Sequence, residues 1–143
     1  MFLIFTNLLY FCGRIEVTLG AFKPKYYFFV IIFMYTVIKR MEISAAHQLK
    51  LSYPSKCENL HGHNWIVTVY CRSKELNSDG MVVDFSHIKK VVKDQLDHKN
   101  LNDVLSFNPT AENMARWICD QISTCYKVEV QESEGNTAIY EKD

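Results

Sequence analysis

His61-Gly62-His63 opens a run in which His61, His63, Trp65, Val67, Val69 and Cys71 fall on alternate positions. In an extended strand, residues i and i+2 point the same way, so both imidazoles can meet one ion. Gly62 between them leaves room for a ligand or another backbone to come close. His47 ends the inner face of the preceding alternation, and a neighbouring strand could bring it alongside. Three neutral imidazoles with a vacant fourth position make the ligand set of catalytic zinc, whereas closed four-ligand sites are structural. An isolated His-x-His is most often a turn with two surface histidines. Here a third His on an inner face, and a cysteine four positions before His61, favour the metal.

That cysteine, Cys57, has two readings. As a fourth ligand it would close the site and make it structural. As an unligated thiol near Zn²⁺ and a histidine it would have a depressed pKa and could serve as a base. Glu132 is in phase with Val128 and Val130, so its carboxylate either faces inward or sits wet on a fraying strand end. Burying it unpaired would cost several kcal/mol, so the inward reading implies a cationic or multi-donor ligand. Asp97-His98 stands where the first helix should end, a place where a histidine also suits the helix dipole. His87 reads as exposed, and Cys71, Cys119 and Cys125 as small structural thiols.

The elements that position these residues follow from periodicity. Tyr35, Val37, Met41, Ile43, Ala45 and His47 share one side of a period-two pattern, with Lys39 the exception, opposite Thr36, Arg40, Glu42 and Ser44. That is a half-buried antiparallel strand. A loop through Ser52-Tyr53-Pro54-Ser55-Lys56 leads to the second strand from His61. Asn77-Ser78-Asp79-Gly80 is a turn cluster. Phe85, Ile88, Val91, Val92 and Leu96 then lie at helical spacing. Asn108-Pro109-Thr110 opens a second helix, capped by Thr110, with Glu112 in its positive first turn and Ala111, Met114, Ala115, Ile118 and Ile122 as its stripe. Tyr126–Glu132 and Thr137–Tyr140 alternate as two more strands. The order ββααββ predicts an α+β domain with an antiparallel sheet and two helices on one face.

Sixteen basic and sixteen acidic side chains give no formal net charge, which does not suit a nucleic-acid binder relying on phosphate contacts. Five cysteines at irregular spacing suggest reduced thiols in a cytoplasmic setting. Ten of the 19 aromatic residues fall in the first 33 positions, so composition changes near Met34. The apolar patches there are too short to span a bilayer, lack the pattern of a signal peptide and lack a basic amphipathic face. Residues 1–33 are therefore expected to be an extension outside the domain, with Met34 a candidate natural start, and 34–143 a single domain.

Ala45-Ala46-His47, Cys57-Glu58-Asn59-Leu60-His61-Gly62-His63-Asn64, Gly80-Met81-Val82-Val83-Asp84-Phe85, Leu96-Asp97-His98, Leu101-Asn102, Pro109-Thr110-Ala111-Glu112-Asn113 and Glu132 occur in this order. The ordered set closely resembles the 6-pyruvoyl-tetrahydropterin synthase family, and especially its queuosine-pathway branch, the 6-carboxy-tetrahydropterin synthases. Three residues between Cys57 and His61 match that branch, since biopterin-pathway members usually carry a longer spacer. The resemblance covers roughly Tyr35 to Tyr140.

It implies the tunnelling fold, in which trimers close their sheets into a barrel and two trimers stack into a homohexamer. It implies Zn²⁺ on His47, His61 and His63, Cys57 as proton acceptor, Asp97 and His98 as a relay pair, and Glu132 as the acid that anchors the pterin. Thr110 and Glu112 match positions near the pterin pocket. The implied substrate is 7,8-dihydroneopterin triphosphate; the closeness of Lys50 and Lys56 to the site residues makes them candidates for its phosphates, and composition suggests no nucleic-acid or membrane partner. Two other readings stand beside it: the biopterin-pathway synthase, and a non-catalytic zinc-stabilised module with Cys57 as fourth ligand.

Overall fold

The structure is a computed structural model that describes residues 15–17, 26–28 and 33–142. The chain divides into two units, Met1–Phe33 and Met34–Asp143. In the first, strands β1 (Ile15–Val17) and β2 (Tyr26–Phe28) pair antiparallel, Glu16 opposite Tyr27. The apolar patches of the extension lie largely outside the described residues.

In the second unit the two alternating segments become strands of thirteen residues each, β3 (Tyr35–His47) and β4 (His61–Ser73). They pair antiparallel along their whole length, from Tyr35 opposite Ser73 to His47 opposite His61. β4 also pairs with β6 (Cys125–Ser133), and β6 with β7 (Asn136–Glu141). On the far edge the short β5 (Lys99–Asn100) pairs parallel with Ala45 and Ala46, giving the order β5-β3-β4-β6-β7.

Three helices accompany the sheet: α1 (Phe85–Leu96), α2 (Leu101–Val104) and α3 (Ala111–Gln121). Asp84 caps α1 through the N–H of Ser86, and Thr110 caps α3 through that of Asn113. The inward residues of the strands, among them Ile43, Trp65, Val67, Val69, Val128 and Val130, join Ile88, Val92, Leu96, Met114 and Ile118 of the helices in one core. Each such aliphatic side chain stabilises the fold by about 1.5–3 kcal/mol relative to exposure.

The α+β layout of the sequence reading holds, with three differences. The sheet is mixed rather than wholly antiparallel, through the two-residue pairing of β5. A third, four-residue helix, α2, follows it. Neither piece is long enough to show a period. Phe85 does not join the apolar stripe: it is 47% exposed at the first turn of α1. Lys39, the break in the β3 alternation, places its Nζ 5.7 Å from the centre of that ring.

Candidate metal centre

The β3–β4 register places the histidines. His47 is the last residue of β3 and His61 the first of β4, directly opposite each other, and His63 is opposite Ala45. All three rings lie on the helix side of the sheet, with centroids 4.6 Å (His47–His61), 4.9 Å (His61–His63) and 5.3 Å (His47–His63) apart. One ligating nitrogen from each falls within 4.8 Å of the other two. Among the described residues this is the group of three His, Cys, Asp or Glu side chains so arranged that it could hold a metal ion.

The hydrogen bonds fix which nitrogens are free. His47 Nδ1 donates to the carbonyl of Pro109 at 2.8 Å, and His61 Nδ1 to that of Asn59 at 2.7 Å. Both Nδ1 atoms are therefore protonated, and in the neutral rings both Nε2 atoms carry lone pairs. These two Nε2 atoms are 3.2 Å apart. Two lone pairs facing each other at that distance repel unless a cation lies against them. His63 Nε2 is buried with no hydrogen-bond partner. Burial holds His47 below its ordinary pKa, opposed by the Pro109 carbonyl, and so keeps it in the neutral form that a metal requires. The residues present fit a divalent ion of the borderline-soft type, with each outer nitrogen of two ligands oriented by a carbonyl.

Trp65, two positions beyond His63 on the same face, supports the rings. Its Nε1 donates to the carbonyl of Ala45 at 3.2 Å, and its ring meets His47 and His63 edge-on at 4.9 and 5.2 Å. The period-two pattern gave its position, while the buried carbonyl partners of the histidines had no local signal.

Glu132 reaches the cluster from β6. Gln131 pairs with Thr137 and Ser133 with Asn136, which leaves Glu132 as an unpaired bulge residue. Such a bulge re-aims a side chain. Its Oε1 lies 3.6 Å from His47 Nε2 and 3.9 Å from His63 Nε2. The carboxylate thus stands beside the histidine cluster and is neither fully wet nor buried alone.

Asp97 and His98 sit where α1 meets β3. Asp97 accepts from the Ser44 N–H at 2.8 Å and lies 3.0 Å from His98 Nδ1. The Ser44 N–H, and after it His98, hold the Asp97 carboxyl below the usual range. His98 adopts the left-handed φ of 58°, its N–H donating to Ser44 O at 2.7 Å, and its side chain is 82% exposed. His63, Glu132 and His98 line one open concavity of about 850 Å³, together with Gly62, Asn64 and Lys99. The room expected above Gly62 is not forced by the chain: a Cβ there would meet Ala45 O at 3.6 Å, an ordinary contact.

Cys57 lies in a single 3₁₀ turn (Lys56–Glu58) closed by a reciprocal cap between Ser55 and Glu58. Its thiol is free and half-buried, outside the histidine grouping. Thr110 caps α3 next to Pro109, the acceptor of His47, and Glu112 is exposed in the first turn. The other three described cysteines are buried, Cys119 Sγ donating to Cys125 O at 3.6 Å.

Residues 36–143 match the family described as 6-pyruvoyl tetrahydropterin synthase. The chain is 37% identical over 121 residues to 6-carboxy-5,6,7,8-tetrahydropterin synthase of Synechocystis sp., covering 75% of this chain and 93% of that protein. It is 33% identical over 119 residues to the enzyme of that name from Bacillus subtilis, covering 71% and 82%. The solved structure of Caenorhabditis elegans 6-pyruvoyl tetrahydropterin synthase superposes with a TM-score of 0.62 at 28% identity, covering 80% of this chain and 100% of that one. The matched span contains all three histidines, the bulged glutamate and the Asp97–His98 corner, and on this sequence match the chain belongs to the 6-pyruvoyl tetrahydropterin synthase family.

Proposed function

We propose that the chain is a zinc-dependent 6-carboxy-5,6,7,8-tetrahydropterin synthase, converting 7,8-dihydroneopterin triphosphate to 6-carboxy-tetrahydropterin, acetaldehyde and triphosphate in the queuosine pathway. The observation that carries this reading is the convergence of three imidazoles whose free nitrogens lie within 4.8 Å of one another and face no proton donor. Bearing the same name as the proposed activity, the Synechocystis and Bacillus relatives support the choice of reaction.

Zinc held by His47, His61 and His63 would supply Lewis acidity toward the oxygens of the substrate side chain. Cys57, outside the histidine grouping, has a sulfur free to take a proton from carbon. A well-placed base of this kind contributes roughly 10²- to 10⁴-fold. His98 has its Nδ1 committed to Asp97, which leaves its exposed Nε2 to relay protons. Glu132 accepts donors from the pterin edge beside the metal, as a carboxylate suits a bidentate N–H pair. Thr110 and Glu112, at the start of α3 beside Pro109, would contact the pterin from that side.

The assembly proposed for this activity is a homohexamer of two stacked trimers. A cytoplasmic setting suits four free thiols among the described residues. No described helix is long and apolar enough to cross a membrane.

The deciding experiment incubates the purified chain with 7,8-dihydroneopterin triphosphate and assays acetaldehyde and the pterin product. Release of 6-pyruvoyl-tetrahydropterin without acetaldehyde would move the chain to the biopterin-pathway reaction, the activity named for the Caenorhabditis structure. Absence of turnover, with unfolding on chelation, would leave only a zinc-stabilised module.

A further inference from the structure

β3 ends at His47, yet the backbone of the three residues after it keeps hydrogen bonds that alternate between the two sides. Asn102 Oδ1 accepts the N–H of Gln48 at 2.8 Å, and its Nδ2 donates to the Gln48 carbonyl at 2.8 Å. Asn108 does the same for Lys50, at 3.0 Å in each direction. Between them, the N–H of Leu49 points to the opposite edge and donates to the Cys57 carbonyl at 2.8 Å.

This is the alternation of a strand whose neighbour has been replaced piece by piece. In an extended chain the N–H and C=O of one residue face one edge, and those of the next face the other. On the β5 edge, Ala45 and Ala46 pair with Lys99 and Asn100, and two side-chain amides continue that edge past the strand end. On the β4 edge, His61 opposite His47 is followed by the backbone of the Cys57 turn. A carboxamide is the side chain that carries the same donor and acceptor as a peptide group. Both amides are themselves anchored. The N–H of Asn102 donates to Asn100 Oδ1 at 3.3 Å, and the carbonyl of Asn108 accepts Asn113 Nδ2 at 3.0 Å.

We infer that Asn102 and Asn108 are positioning residues that extend the sheet edge beyond His47 and thereby fix the Cys57 turn against the metal ligand. Resting on the proposed reaction for its kinetic consequence, the inference has a structural consequence that does not. A strand end without such bonds frays, and here fraying would loosen His47 and Cys57 together. Glu and Gln would be a methylene too long, and Asp would set an oxygen against the carbonyls of Gln48 and Lys50.

The test uses the full chain loaded with zinc and the variants Asn102→Asp and Asn108→Asp, which keep side-chain shape and remove the donor. Expected is unchanged zinc stoichiometry, with kcat on dihydroneopterin triphosphate lowered about 10- to 100-fold. KM should stay within about twofold, because the loss falls on alignment and not on ground-state binding. Amide hydrogen exchange should rise selectively in the segment from Gln48 to Cys57. Unchanged kcat and exchange, or faster exchange spread evenly over the whole domain, would overturn the inference. If the wild-type chain fails to turn over the pterin, the proposed reaction has failed, and exchange with zinc retention still decides the clamp.

Discussion

At the scale of single residues, the candidate metal centre rests on which nitrogen of each ring is spoken for. The Pro109 and Asn59 carbonyls commit Nδ1 of His47 and His61, and the two remaining Nε2 atoms are 3.2 Å apart. The convergence of the three histidines was legible in the sequence, because His-x-His on a strand and an inward His at the end of its neighbour need only the two-residue period. Their carbonyl acceptors, 62 and 2 residues away, were not, since a backbone oxygen has no residue type to betray it. Glu132 was left open between an inward and a wet position, because only the bulge at Glu132 brings its carboxylate to the histidines. Cys57 is the residue whose proposed role has the sharpest consequence. Cys57→Ala should retain one zinc per chain while turnover falls by at least about 10²-fold. Elemental analysis beside the acetaldehyde assay checks both, and loss of the metal would make the sulfur a ligand.

At the scale of elements, the long strands and both longer helices follow from periodicity, whereas β5 and α2 are held by tertiary bonds that leave no periodic trace. Gly62 illustrates the difference between a conformational and a spatial need. Its φ is not left-handed and the chain leaves room for a methyl group, yet it lines the concavity with His63 and Glu132. Gly62→Ala should therefore fold with stability equal or higher by about 0.5–1 kcal/mol, because a strand glycine has more freedom to lose. Its effect should fall on KM, as substrate meets the added methyl. A lowered melting temperature would show that the strand ends lie closer than 3.6 Å contact allows.

The α1–β3 corner gives a pH prediction. Asp97 is held below the ordinary carboxylate range, first by the Ser44 N–H and then by His98. A carboxylate bonded in the folded chain and free in the unfolded one stabilises the fold above its unfolded pKa. That contribution is lost as pH falls through the lower folded value, so the window lies below about pH 4. Asp97→Asn should lower stability at neutral pH by about 1 kcal/mol and flatten the acid side of the curve. Urea midpoints at neutral pH and near pH 3 test it, an unchanged acid limb being the contrary result.

At the scale of the whole molecule, the aromatic-rich extension and the synthase-like domain fall into separate units, and the composition change near Met34 coincides with that division. The proposal that the extension is dispensable predicts that a chain beginning at Met34 folds, binds zinc and keeps its activity. Among the described residues the sheet also ends in two edges, β7 and the part of β3 before Ser44, beyond which no strand pairs. The proposed hexamer predicts a mass of six chains by light scattering for both lengths, and a monomer at every concentration would refute it.

The unbroken pairing of β3 with β4 carries one further consequence. His47 and His61 are partners at the very end of a thirteen-residue ladder, so a slip of one position would turn the histidines of one strand away from those of the other. With the proposed zinc bound there, metal affinity would discriminate between correctly and incorrectly aligned hairpins, and zinc added during refolding should raise the yield of native chain. A chain refolded with chelator and metallated afterwards would keep whatever misalignment it had already trapped, so the order of addition, at equal final zinc, becomes the measurable variable.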